Sequence, residues 1–190
     1  MDERGNLRLP AVDHDNYPDG EIIDILRRVK TVAIVGASAN PVRPSYFVMK
    51  YLRDKGYDVL PVNPGQAGKD ILGQQAVAAL ADLPVSVDMV DIFRASDAVP
   101  QLVDEILAMP SLPKVVWMQL GVRDDAAAAR LEAAGIRVIM NRCPKIEYAR
   151  LSGEIGWSGV NSRKISSRKP VLRDGYQSFG IRQNCDDSTS

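Results

Sequence analysis

One segment of the sequence has the residue types to bind an anion: residues 36–43, which are Gly-Ala-Ser-Ala-Asn-Pro-Val-Arg. An apolar run, 31–36, leads into it, and a helical pattern with Ser45 as its expected N-cap follows it. Gly36 allows a sharp turn, and the N–H groups that enter a helix point at a bound anion. Arg43 adds a full positive charge. These features predict a phosphate site, although an ordinary strand-to-helix turn has the same local pattern.

This segment departs from the dinucleotide-binding fingerprint G-x-G-x-x-G. Ser38 stands at the second glycine position and Pro41 at the third, so the backbone cannot approach a pyrophosphate in the usual way. Where an acidic residue would bind the ribose hydroxyls of NAD, the sequence has Asn63 and Pro64. A nucleotide still suits this turn, whereas NAD suits it less well. An NAD(P)-dependent oxidoreductase remains the alternative enzyme function.

Two other kinds of chemistry find little support in the residue types. Residues 36–40 approach the nucleophile elbow G-x-S-x-G, but Asn40 replaces the final glycine, and the only histidine, His14, lies in a polar segment expected to be solvated. One histidine and two distant cysteines, Cys143 and Cys185, form neither a metal-ligand cluster nor a disulfide framework. No catalytic residue and no metal site is therefore predicted.

Five short, β-branched apolar runs are typical of the buried strands of a parallel sheet. They are residues 31–36, 57–62, 87–93, 114–120 and 137–141. Helical periodicity is found at residues 21–30, 45–55, 97–108 and 124–134. Segment 64–84 is expected to be a loop with a short strand near 71–76 and one helical turn. The alternation predicts an α/β fold, a Rossmann-like, doubly wound five-stranded parallel sheet.

The length and the charge of the chain limit its organisation and its partners. At 190 residues it suits a single domain, predicted at residues 21–151 between an N-terminal arm, 1–20, and a C-terminal extension with a polar tail, 152–190. Because 24 basic residues balance 24 acidic ones, neither a nucleic acid nor a membrane surface is indicated as a partner. Few cysteines and no long apolar stretch lead us to expect a cytoplasmic protein.

Several motifs, in order along the chain, resemble one family. The runs TVAIVGASANPVRPSYFVMKYLRDKGYDVLPVNP, VDMVDIFR, VWMQLGV and IMNRCPKIEYARL are similar to small coenzyme-A-binding domains. That family is similar to the N-terminal domain of the succinyl-CoA synthetase alpha subunit. The resemblance covers residues 22–151 and depends on several motifs rather than on one glycine turn. It implies a Rossmann-type sheet with coenzyme A as its nucleotide ligand.

The resemblance also implies where coenzyme A would bind. The residues implied for its phosphates lie in the first turn: Gly36, Ser38, Asn40 and Arg43. Those implied for its adenosine lie at the end of the second strand: Val62, Asn63 and Pro64. Those implied for the remainder follow the third and fourth strands: Phe93, Arg94, Gln119 and Gly121. Two arginines at strand ends, Arg43 and Arg94, agree with this ligand, since coenzyme A carries a pyrophosphate and a 3′-phosphate.

Cys143 follows the fifth predicted strand and is included among the binding residues. It is either a buried small hydrophobe or a thiol that meets the pantetheine end of the ligand. Arg142 or Lys145 would lower its pKa and favour a mixed disulfide with coenzyme A. Trp117, inside the fourth strand pattern, is predicted to be a core residue.

The resemblance does not carry ligase activity over to this chain. Succinyl-CoA synthetase works through a phosphorylated histidine in a second domain, beside an ATP-binding subunit, and this sequence shows neither that domain nor a histidine in its predicted core. We expect a protein that binds coenzyme A or an acyl-CoA without enzymatic activity, as a carrier, sensor or regulatory subunit. A regulatory protein-interaction module is a further alternative, and a homo-oligomer or a partner enzyme is an open option.

Overall fold

The computed structural model describes residues 12–153. Most of the predicted N-terminal arm and C-terminal extension, with Cys185, lies outside the described residues. The strands, in chain order, are β1 Thr31–Val35, β2 Asp58–Val62, β3 Asp70–Ile71, β4 Gln74–Gln75, β5 Met89–Ile92, β6 Val115–Met118 and β7 Arg137–Ile139. The helices are α1 Asp19–Arg28, α2 Pro44–Asp54, α3 Val99–Leu107, α4 Asp125–Ala133 and α5 Pro144–Leu151.

Five strands form one parallel sheet in the order β2-β1-β5-β6-β7, and β3 pairs with β4 as a separate antiparallel ribbon. From β1 the chain passes to β2 on one side, and it then returns to place β5 on the other side of β1. The strand order therefore reverses between β1 and β5. In open sheets of this kind, ligands bind outside the carboxyl ends of the strands at that point.

Helices cover both faces of the sheet, because successive side chains of a strand point to opposite faces. Val32 and Ile34 of β1 pack on the face that α1, α2 and α5 cover. Ala33 and Val35 pack on the other face, with α3 and α4. Burial on both faces explains why the strands are continuous apolar runs. The predicted doubly wound, five-stranded parallel sheet is confirmed.

The helices differ from prediction at two positions near the ends of strands. α2 begins at Pro44 with Arg43 at the N-cap position, so Ser45 is a buried residue of the first turn and not the cap. Proline suits the first helical position because its φ is already helical and its missing N–H would have no partner there. α5, which the sequence analysis missed, begins in the same way at Pro144.

Segment 64–84 contains more regular structure than a loop. The ribbon of β3 and β4 closes through Leu72 and Gly73, which have φ values of 56° and 78°. Two positive φ values in succession are typical of a tight hairpin turn. Short 3₁₀ turns lie at Pro64–Gln66 and Leu80–Asp82. The segment thus has two short strands joined by a turn where one strand was predicted, and two 3₁₀ turns where one helical turn was predicted.

Candidate functional site

Gly36 brings the ends of three strands together. Its N–H donates to the carbonyl oxygen of Val62, at the end of β2, over 2.8 Å, and the N–H of Phe93 donates to the carbonyl oxygen of Val35 over 2.8 Å. Gly36 has a φ of +89°, and a Cβ at this position would lie 3.0 Å from the Phe93 carbonyl oxygen and 3.3 Å from Cδ of Arg94. Any side chain here would be both strained and crowded, so the turn requires glycine.

Polar side chains hold the shape of the turn between β1 and α2. Ser38 Oγ accepts a hydrogen bond from the N–H of Asn40 over 3.2 Å, and Asn40 Oδ1 accepts one from the N–H of Val42 over 3.0 Å. The first residue of α2 is Pro44, which has no N–H to offer an anion. The helix terminus is therefore a poorer donor than the sequence predicts, and the charge of Arg43 matters more.

Asn63 ties the end of β2 to the same turn. Its Nδ2 donates to the carbonyl oxygen of Ala37 over 2.7 Å, and its Oδ1 accepts from the N–H of Gly65 over 2.9 Å. Val62 is buried and Pro64 is exposed. Because both ends of the Asn63 amide are engaged within the protein, Asn63 shapes this edge, and Pro64 is the side chain that faces solvent.

Two exposed arginines lie beside Gly36, where the strand order reverses. Arg43 precedes α2, and Arg94 follows β5. Within residues 12–153 neither side chain forms a hydrogen bond or an ion pair. The first turn of α2 contains no acidic residue. This part of the edge therefore presents two positive charges that no carboxylate of residues 12–153 neutralises, which favours the approach of an anion.

The other two arginines at the carboxyl ends of the strands are neutralised within the protein. Arg123, after β6, forms ion pairs with Asp15 and Asp125. Arg142, after β7, forms an ion pair with Glu147, with its Nε 3.9 Å from Oε1. It also donates to the carbonyl oxygen of Asp15 over 3.2 Å and lies 5.6 Å from the ring centre of Tyr17. The segment before α1 therefore holds these two loops in place.

His14 belongs to this packed segment. Its Nδ1 lies 2.9 Å from the hydroxyl of Tyr17, which in turn accepts the N–H of Met140 over 2.8 Å. Its Nε2 lies 3.5 Å from Oε1 of Glu132 in α4, and its side chain is 10% exposed. The prediction that His14 is solvated is wrong, because Tyr17 and α4 enclose the ring.

Asp91 is a buried carboxyl group that the sequence analysis passed over. It lies in β5, and both of its side-chain oxygens are 3.0 Å from Nε2 of Gln119, the residue after β6. Complete burial raises the pKa of Asp91 to about 8, and the hydrogen bond from Gln119 acts in the opposite direction. The signal that could have found it is a carboxylate within a run predicted to be buried on both faces.

Cys143 occupies the N-cap position of α5 and is 6% exposed. Burial is the main cause that raises the pKa of its thiol, and the N–H groups of Ile146 and Lys145 oppose this effect. The charge of Lys145 also lowers the thiol pKa, as predicted, but burial outweighs it, so the net pKa is raised and the thiolate is not favoured. The thiol is a packed side chain in this structure.

Several hydrogen bonds join β6 and the loop after it to the loop after β7. Gly121, exposed and with a φ of +77°, donates its N–H to Asn141 Oδ1 over 2.8 Å. Trp117 is fully buried, as predicted, and its Nε1–H donates to the carbonyl oxygen of Arg142 over 2.8 Å. The position of Gly121 at the ligand side of the sheet thus depends on the loop after β7.

Neither a metal site nor a membrane-spanning helix is found among residues 12–153. No group of three or more His, Cys, Asp or Glu side chains among residues 12–153 is placed to hold a metal ion. None of the five helices in that part of the chain has the length and apolarity to cross a bilayer.

A family model described as a CoA binding domain matches residues 30–149. The match begins just before β1 and ends within α5, so it includes every loop at the carboxyl ends of the parallel strands. The uncharacterised protein YneT of Bacillus subtilis is 37% identical over 134 residues, which are 70% of this chain and 96% of that protein.

Two further proteins extend this comparison. The structure of the protein cell-free ID.343 from Thermus thermophilus is 41% identical, with a TM-score of 0.67 over 71% of this chain and 99% of that chain. The alpha subunit of an ADP-forming acetate–CoA ligase from Pyrococcus furiosus is 33% identical over 87 residues, which are 44% of this chain and 19% of the subunit. The first likeness extends over a whole chain and the second over a small part of one.

Proposed function

Because this chain belongs to the family of CoA-binding domains, as its motifs predict, we propose that it binds coenzyme A or an acyl-CoA. The ligand would lie across the carboxyl ends of the strands, at the point where β1 and β5 meet. Its pyrophosphate and 3′-phosphate would face Gly36, Ser38 and Asn40.

The observation that carries this proposal is the pair of unneutralised arginines at that point. Arg43 and Arg94 have no protein partner within the described residues, so neither must give up an ion pair to bind a phosphate. Guanidinium groups bind phosphate oxygens through two parallel hydrogen bonds. A ligand can approach Arg94 closely because Gly36 has no side chain; a Cβ there would lie 3.3 Å from Cδ of Arg94.

The remaining residues would surround the two ends of the ligand. The adenosine would lie against Val62 and Pro64, with Asn63 fixing the shape of that edge. The pantetheine arm would run past Phe93 towards the loops that contain Gln119 and Gly121. The side chain of Cys143 would lie beneath the arm as part of the packed interior, because its thiol is buried and the pKa of that thiol is raised.

The described residues at this edge do not favour an NAD(P)-dependent oxidoreductase. The residue at the end of β2 that would bind the ribose hydroxyls is Asn63, and both ends of its amide are already engaged within the protein. The turn after β1 also lacks the second and third glycines of the dinucleotide fingerprint. Coenzyme A needs neither feature.

We assign the chain a binding role, as a carrier, sensor or regulatory subunit, and no ligase activity of its own. The likeness to an acetate–CoA ligase subunit spans only 19% of that subunit, so it supports the ligand and not the reaction. A partner enzyme that uses coenzyme A is the interaction that this likeness favours.

Thermal unfolding of the full chain with a panel of ligands tests the proposal. A ligand at about 100 times its dissociation constant stabilises the fold by roughly 2.7 kcal/mol, which raises Tm by several degrees for a protein of this size. We expect this increase with coenzyme A and a smaller one with NAD, NADP or ATP. An equal or larger increase with NAD would overturn the proposal, and native mass spectrometry of the purified chain would identify any ligand that copurifies.

A further inference from the structure

Asp91 and Gln119 form a polar pair in an otherwise apolar interior, directly beneath the carboxyl ends of β5 and β6. In the register of the sheet, Asp91 lies opposite Trp117, so Gln119, two residues further on, comes from the next position on the same face. Asp91 is completely buried and Gln119 is 6% exposed. A buried carboxyl group is costly unless it is well partnered, and Gln119 supplies its hydrogen bonds.

The two ends of the Gln119 amide have different surroundings. Nε2 is committed to Asp91, at 3.0 Å from each oxygen. Oε1 accepts no hydrogen bond from any residue in the described part of the chain. Oε1 of Gln119 is not among the buried side-chain atoms that lack a hydrogen bond in that part, so it still reaches solvent. Oε1 is therefore the end that is open to a ligand.

We propose that Asp91 is a positioning residue that holds the Gln119 amide so that its Oε1 accepts a hydrogen bond from an amide N–H of the pantetheine arm. This inference rests on the coenzyme A site proposed above. The arm contains two secondary amides, and each has one N–H to donate. Asp91 itself does not touch the ligand, because it is completely buried.

The protonation state of Asp91 decides which end of the amide faces the ligand. An ionised carboxylate only accepts hydrogen bonds, so it pairs with Nε2 and leaves Oε1 outward. A protonated carboxyl group must donate its hydrogen, and Gln119 satisfies it by turning Oε1 inward. The ligand then meets Nε2, a donor, and loses its acceptor. Because burial raises the pKa of Asp91 to about 8, both states are populated near neutral pH.

The other groups packed on this face of the sheet leave Asp91 as the titrating centre. The buried residues of α1 are apolar, and those of α2 are apolar apart from Ser45. α5 presents Tyr148, together with Glu147, which is paired with Arg150. Cys143 is the titratable group whose pKa depends on the charge of Asp91. Asp24→Asn, which removes an exposed carboxylate of α1 that has no hydrogen bond or ion pair within the described residues, serves as the matched control.

Isothermal titration calorimetry between pH 6.5 and 9 tests this inference with two ligands. One is coenzyme A and the other is adenosine 3′,5′-bisphosphate, which has phosphates and adenosine but no pantetheine arm. The ratio of their affinities removes most of the contribution of the phosphates. For wild type and for Asp24→Asn, we expect this ratio to rise about two- to tenfold with pH, as one neutral hydrogen bond is gained.

Two variants should abolish the rise by different routes. Asp91→Asn cannot ionise, and Gln119→Leu has no amide to turn, so for each the ratio should stay constant with pH. If Asp91→Asn does not fold, the pH dependence of the ratio in Gln119→Leu tests the inference instead. A pH-dependent ratio in either variant, or a constant ratio in wild type, would overturn the inference alone. Failure of both ligands to bind would overturn the proposed function and this inference with it.

Discussion

The edge formed by the carboxyl ends of the strands has two halves, and they differ in whether their arginines are paired within the described part of the protein. In the half where β1 and β5 meet, which we call the open half, Arg43 and Arg94 have no protein partner within the described residues. In the half formed by the loops after β6 and β7, which we call the braced half, Arg123 and Arg142 contact Asp15. Both halves expose cations at the same edge, yet only one leaves them available.

This difference separates binding from stability. A solvated, unpaired arginine contributes little to the folded state, so its charge can be used by a ligand. A paired arginine that joins two segments contributes to folding, and a ligand would have to compete with its partner. Substituting an arginine of the open half should therefore reduce affinity, whereas substituting an arginine of the braced half should reduce stability.

The largest expected effect is on the free energy of unfolding and comes from Asp91. This residue lies in β5 and is hydrogen-bonded to Gln119, where the two halves meet. Its pKa is raised to about 8 from an ordinary value of 3.8. Between these values the folded state holds a proton that the unfolded state has released. The free energy of unfolding therefore falls as the pH rises, by roughly 1.4 kcal/mol per pH unit, and the fall ends near pH 8.

Urea unfolding of wild type and Asp91→Asn from pH 4.5 to 8.5 measures this contribution. The variant has no carboxyl group to ionise, so its stability relative to wild type should increase across this range. Asp24→Asn, at an exposed residue without a hydrogen bond or ion pair in the described part of the chain, is the control, and its stability should change with pH as that of wild type does. If the stability of Asp91→Asn also changes with pH in the same way as that of wild type, the buried carboxyl group does not titrate in this range.

The next effect is expected in the open half, for Gly36→Val. The left-handed backbone conformation disfavours a β-branched residue by about 1–2 kcal/mol, and the contact with Phe93 adds to this. Coenzyme A binding should also be lost, because the side chain occupies the turn. Gly135→Val is the matched control, since Gly135 has a φ of +83° but no atom within 4 Å of a Cβ. Binding that survives in Gly36→Val would place the phosphates elsewhere.

The smallest effect is expected in the braced half, for Arg142→Ala. This change removes the contact with the Tyr17 ring and the hydrogen bond to Asp15, and should reduce stability by about 1 kcal/mol. Coenzyme A affinity should remain within a few-fold of wild type. Chemical denaturation and calorimetry on the same samples measure both quantities. A large loss of affinity with unchanged stability would remove the distinction between the halves.

Local patterns were enough to predict the open half from the sequence. The turn at 36–43 follows a β-branched run, and its glycine and arginine are recognisable without knowing any contact. The strands were predicted for the same reason, since burial on both faces leaves continuous apolar runs. The contact between Gly36 and the loop after β5 depends on the strand order, which local sequence patterns do not reveal.

The contacts of the braced half and the hydrogen bonds between Asp91 and Gln119 could not be predicted in this way. The contact of Asp91 with Gln119 depends on the register of β5 and β6, and that of Arg142 with Asp15 joins the two ends of the described chain. His14 was expected in solvent because its neighbours are polar, yet Tyr17 anchors the segment through Met140. Contacts between residues distant in sequence carry no local signal.

The central claim is that the two arginines of the open half bind the phosphates of coenzyme A. Isothermal titration calorimetry with wild type, Arg43→Ala, Arg94→Ala and Arg123→Ala tests it most directly. Loss of a charge-assisted hydrogen bond should weaken binding by about 1.5–3 kcal/mol, or roughly 10- to 100-fold, in each of the first two variants. Arg123→Ala should bind nearly as wild type does. Unchanged affinity in Arg43→Ala and Arg94→Ala, or an equal loss in Arg123→Ala, would contradict the claim.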